Sequence, residues 1–227
     1  MKKVLLIVFA SFLMVGVQAQ SFIGVKAGGG LGLRMGNTGP SNFTSDPGLC
    51  ITGGLLYKYQ ILQRLNLEAD VLFDMRTPTA TLDNIIPEVV TANYQTYVSV
   101  PITAQLMNKF KQKTVVPYRG DAPSGYWYLE GGPYFGYGLA VDGYDPNIAE
   151  SAQVGNSIDL GLVAGIGANF GFNNSYTRLN VGVRGTYGFM NTYKTYADAP
   201  VLNNASVIGY VGLDFALSKK KHFQHRW

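Results

Sequence analysis

Residues 64–75 carry the clearest alternation in the chain. Leu65, Leu67, Ala69, Val71 and Phe73 fall on one face, and Asn66, Glu68, Asp70 and Asp74 on the other. A period of two marks a β-strand, because successive side chains of a strand point to opposite faces. A strand with five apolar residues on one face and three acids on the other has two main solutions. In a soluble sandwich the apolar face turns inward and the acids meet water. In a small membrane barrel the apolar face meets lipid and the acids point into the lumen.

The same alternation recurs over residues 22–32, 49–59, 94–106, 126–139, 158–170, 178–189 and 206–217. That predicts eight strands of about a dozen residues, and crossing a bilayer at a tilt takes about 9–11. An even number returns both chain ends to one side. The connections then alternate. Residues 33–48, 76–93, 141–156 and 190–205 are long and rich in Gly, Pro, Asn or Asp, whereas residues 60–63 and 171–177 are tight turns. Residues 108–125 break this rule with a long connection carrying Lys109, Lys111, Lys113 and Arg119. Aromatic residues gather near the predicted strand ends, with Tyr57, Tyr59, Trp127, Phe170 and Phe215 at one end and Phe73, Tyr94, Tyr187 and Phe189 at the other. Two such girdles belong to membrane interfaces and have no place in a sandwich core. The expectation is an all-β fold, an eight-stranded antiparallel up-and-down transmembrane β-barrel.

Only 14% of the 227 residues are charged, against about 25% in a typical soluble domain. The start reads as a secretory signal peptide over residues 1–19. Lys2 and Lys3 precede the apolar run 4–17, and Val17-Gln18-Ala19 offers a cleavage site. That run is short for a spanning helix, which needs about 20 residues. The organisation expected is therefore a leader, a barrel over 20–217 and a basic periplasmic tail over 218–227. The 18 basic residues exceed the 14 acidic ones, but two lie in the leader and four more in the tail. The barrel is left with 12 basic and 14 acidic residues, without the positive stripe of a nucleic-acid-binding domain.

The polar faces of the strands supply a lumen charge network: Lys26, Lys58, Glu68, Asp70, Asp74, Glu130, Asp159, Arg178, Arg184 and Asp214, with Tyr210 beside them. An eight-stranded barrel is only wide enough for its side chains to fill. Charges so enclosed are expected to pair across it, the acids of residues 64–75 with Arg178 and Arg184 or with Lys26 and Lys58. The competing reading of the same residues is a path for solutes. No catalytic residues are identified, because the only histidines, His222 and His225, fall in the tail and no Ser/His/Asp set can form on the barrel. No cofactor or metal site is expected either. The glycine clusters do not open a helix, so they do not form a phosphate cradle. Cys50, the sole cysteine, reads as a small strand residue.

The closing strand carries Tyr210-x-Gly212-x-x-Phe215-x-Leu217. This spacing resembles the C-terminal signal by which outer-membrane barrels are recognised for assembly. Further pieces run through most of the mature chain: Gly24-Val25-Lys26-Ala27-Gly28, Gly53-Gly54-Leu55 with Tyr57, Tyr97-Val98-Ser99-Val100-Pro101, Tyr128 to Tyr134, Asp159-Leu160-Gly161, Gly165-Ile166-Gly167 and Arg184 to Gly188. In this order the chain resembles the PorT-type family of outer-membrane barrels common in Bacteroidota. The resemblance implies location in the outer membrane, with membrane lipid and the barrel-assembly machinery as partners. One namesake lineage of the family supports protein secretion. The expected function is a non-enzymatic integral barrel with a structural or protein-interaction role in the cell envelope. The alternatives are a narrow pore or carrier for small solutes, or an accessory component of a protein secretion system.

Overall fold

The computed structural model describes residues 20–37, 43–62, 64–77, 79–82, 89–92, 94–109, 125–142, 157–172, 177–191 and 201–217. The leader (1–19), the tail (218–227) and most of the basic connection 108–125 lie outside the described residues. Eleven strands are described. They are β1 (Ser21–Asn37), β2 (Phe43–Asp46), β3 (Gly48–Leu62), β4 (Leu65–Arg76), β5 (Thr79–Leu82), β6 (Val89–Ala92), β7 (Tyr94–Lys109), β8 (Gly125–Asp142), β9 (Ile158–Gly171), β10 (Thr177–Asn191) and β11 (Val201–Ala216). Eight of them close into an antiparallel barrel in the order β1-β11-β10-β9-β8-β7-β4-β3, with β1 pairing on β11 on one side and β3 on the other. Closure leaves no unpaired edge, which is what a sheet in lipid requires.

The barrel is inside out. Leu55 and Leu106 are each 60% exposed on the outer face, while Lys58, Glu68 and Asp70 are 1% exposed on the inner one. Each strand alternates in this way because its sequence does. Both described chain ends lie at one mouth, called here the near end. There the backbone N–H of Leu217 donates to the carbonyl of Ser21, and that of Gln60 to the carbonyl of Gln20. The β3–β4 and β9–β10 turns share this mouth, as do the end of β7 and the start of β8, which the basic connection joins, and the other connections join strand ends at the far end.

Two expectations need correction at the far end. Residues 33–48 and 76–93 were expected as loops, but they hold three short strands that form a separate sheet, β2-β5-β6. Four-residue strands show too little alternation to be recognised. The barrel strands also run further than the sequence pattern does. β1 continues to Asn37 and β11 begins at Val201, and the two pair to their tips. These extensions lie in Gly- and Asn-containing sequence, where ladder pairing rather than an apolar stripe defines the strand. Arg34 and Arg76, expected in outer loops, therefore lie inside strands. Thr96, which the alternation over residues 94–106 puts on the outer face with Val98 and Val100, is instead buried beside the register shift between β7 and β8.

Candidate functional site, the charged lumen

The inner face of β4 places Glu68, Asp70 and Asp74 in one row. Two strands away across β3, β1 brings Lys26, whose Nζ lies 2.5 Å from Glu68 Oε1 and 2.9 Å from Asp70 Oδ2. Lys58 on β3 reaches Glu68 Oε2 at 3.1 Å and Asp214 Oδ2 on β11 at 2.7 Å. It also donates to Asn180 Oδ1 at 3.3 Å. Arg184 comes from β10, which stands opposite β4 in the barrel order. Its Nη1 meets Asp70 Oδ2 at 2.8 Å, its Nη2 meets Glu68 Oε1 at 3.2 Å, and its Nε meets Glu130 Oε1 at 2.8 Å. The guanidinium is a strut across the bore.

Neutral groups complete this layer. Gln105 Nε2 donates to Glu68 Oε2 at 2.9 Å and to Glu130 Oε2 at 3.1 Å. The Tyr210 hydroxyl donates to Glu130 Oε1 at 3.1 Å and lies 2.6 Å from the Tyr128 hydroxyl. Both Lys26 and Arg184 stand over the Tyr210 ring, at 4.8 and 5.3 Å. The two tyrosines fit only because glycines face them. A Cβ at Gly167 would overlap the Tyr128 hydroxyl, and one at Gly182 would come within 2.6 Å of the Tyr210 hydroxyl.

A second ionic layer lies toward the far end. Arg76 meets Asp74 at 3.4 Å and Asp159 on β9 at 3.5 Å. Ser99 donates to Asp74 at 2.5 Å, while Tyr134 and Asn204 donate to Asp159 at 3.0 and 3.3 Å. Between the layers, Leu72, Pro101, Val163 and Ile208 help line a cavity of about 20 Å³ that Cys50 also borders. That is room for about one water molecule. Charges taken so far from water are tolerated only when paired and hydrogen-bonded. The buried groups comprise the cations Lys26, Arg34, Lys58, Arg76 and Arg184 and the acids Glu68, Asp70, Asp74, Glu130, Asp159 and Asp214. The arrangement fills the bore with near-balanced charge.

Nine of the ten expected lumen charges take part in these ion pairs. The tenth, Arg178, is only half-buried and packs its guanidinium on the Phe22 ring at 4.2 Å. Sequence reasoning missed Arg76 and Arg34, although both continue the even-numbered phase of their strands' inward residues. Of the closing-strand motif, Tyr210 and Gly212 face the lumen, whereas Phe215 and Leu217 are exposed on the outer face.

A closed eight-stranded barrel with an apolar outer wall and a charged, filled bore is the architecture of a transmembrane β-barrel. The outer-membrane protein OprG from Pseudomonas aeruginosa has the same fold, with a TM-score of 0.51 at 12% identity over 90% of this chain and 99% of that one. Neisserial surface protein A (NspA) is also similar, with a TM-score of 0.46 at 10% identity over 87% of this chain and 99% of that one. No protein-family model and no curated protein matches the sequence. The chain therefore has the eight-stranded fold of outer-membrane barrels.

Proposed function

We propose that this protein is a non-enzymatic outer-membrane barrel of the PorT type with a structural or protein-interaction role, closed to solutes by its own side chains. The observation that carries this reading is the Arg184 strut. At that level β10 is tied to β4 and β8 through three carboxylates, and a hydrated ion would have to break several buried ion pairs to pass. Interaction then belongs to the two mouths. The far mouth carries the β2-β5-β6 sheet and the protruding tips of β1 and β11. With both described chain ends at the near end, that end is assigned to the periplasm and the far end to the exterior.

Single-channel recording in planar bilayers tests closure. The purified barrel should show no steady conductance above that of the bare bilayer. Stable openings of uniform size would overturn this reading in favour of a narrow pore. Affinity purification from solubilised envelopes tests the interaction role, and a defined set of co-purifying envelope or secretion proteins is expected.

A further inference from the structure

The apolar outer wall is not smooth. Toward the far end, across β9, β10, β11 and β1, it is indented by a groove of about 350 Å³. Leu33, Met35, Leu162, Tyr187 and Val207 form its sides, and its bed is made by the small residues Ala164, Gly185 and Ala205. The register explains the bed. Ala164 is paired with Gly185, Gly185 with Val207, and Tyr187 with Ala205. At the rim, β10 leaves the ladder, since between Tyr187 and Asn191 it has more residues than β11 offers opposite.

Nothing inside the sheet demands a glycine at position 185. A Cβ there would lie 3.8 Å from the carbonyl oxygens of Ala164 and Ser206, an ordinary contact. The missing side chain instead shapes the outer surface. The polar groups nearest the bed are satisfied, because the Thr186 and Ser206 hydroxyls lie 2.6 Å apart and bond each other. The groove thus offers methyl and methylene surface and asks for no hydrogen bond. Its far rim is polar, where Asn203 Nδ2 donates to the Tyr187 hydroxyl at 3.1 Å. The groove is also continuous with the rest of the lipid-facing band, for Leu162 and Val207 are about as exposed as Val183 and Ile166 beside them.

We propose that this groove is a binding site for one acyl chain of a lipid in the leaflet around the far end of the barrel, with the headgroup at the Tyr187–Asn203 rim. The proposal rests on the membrane-barrel reading and deepens it. An apolar chain in contact with both the bed and the sides replaces a gap that mobile lipid would fill poorly.

Full-length protein in phosphatidylethanolamine vesicles, containing a trace of phosphatidylethanolamine with a diazirine on its acyl chain, provides the test. After photolysis, peptide mapping should place adducts around Leu162, Tyr187 and Val207 several-fold above those around Leu55 and Val71. Filling the groove with Gly185→Leu and Ala164→Leu should remove that excess. Gly53→Leu should not, since it adds an outward side chain elsewhere on the wall, where a Cβ lies 3.8 Å from the nearest backbone oxygen. Even labelling of the whole band in the wild type would overturn the proposal. So would an excess untouched by groove filling in a variant that keeps its heat-modifiable band, or protein–protein cross-links at the groove in place of lipid adducts. Loss of the heat-modifiable band in the wild type would instead sink the membrane-barrel reading itself.

Discussion

Arg184 joins three carboxylates that have few other ways to be neutralised. Truncating it to alanine leaves Glu130 with neutral partners and Asp70 and Glu68 with lysines as their only cations. Breaking a buried ion pair from one side costs about 3–5 kcal/mol, and Arg184→Ala should destabilise the barrel by that order in urea-induced unfolding. Conductance should change little, since the tyrosines, Gln105 and the remaining charges still occupy the bore. A wide, steady pore in this variant would show that the strut alone closes the barrel. Glycines give a second contrast. Gly182→Ala forces its methyl against the Tyr210 hydroxyl and should cost about 1–3 kcal/mol as overpacking does. Gly53→Ala points to lipid with room to spare and should be neutral or stabilising by up to about 1 kcal/mol. Which of these residues face inward was legible from parity alone. Their partners were not, because Lys58 to Asp214 and Arg184 to Asp70 are contacts between strands that only closure brings together.

Among the elements, β11 shows how one strand serves two environments. Val211 is half-exposed near the middle of the strand on the outer face. An arginine there would sit in hydrocarbon, at a cost of about 2–4 kcal/mol near the midplane. Val211→Arg should lower the folded fraction in vesicles by a matching amount, read by gel shift, whereas Asn203→Arg at the rim should be tolerated. The strand interiors were legible because lipid on one side and charge on the other enforce alternation. Their ends were not. Leu33 and Met35 continue the outward face of β1, but the facing tip of β11 holds Asn203 and Asn204 and shows no clean stripe, so it is pairing with β1 that defines it as strand. The same reason hid β2, β5 and β6.

For the whole molecule, closure and inversion make one joint prediction. An unboiled sample of the outer-membrane fraction should migrate as a compact band that shifts on boiling, because a barrel without edges resists detergent until heated. Recovery in a soluble periplasmic fraction with no shift would reverse every face assigned here. The sequence by itself determined the strand class, the number of barrel strands and, Thr96 apart, which residues share a face, since all three follow from a period of two and the punctuation between segments. Only the tertiary structure decided that Arg184 spans the bore and that the charges divide into two layers around a cavity of about 20 Å³. It also decided that the outer wall is grooved at Gly185. Those features depend on the stagger between strands distant in sequence, and stagger is fixed when the barrel closes rather than by any local pattern.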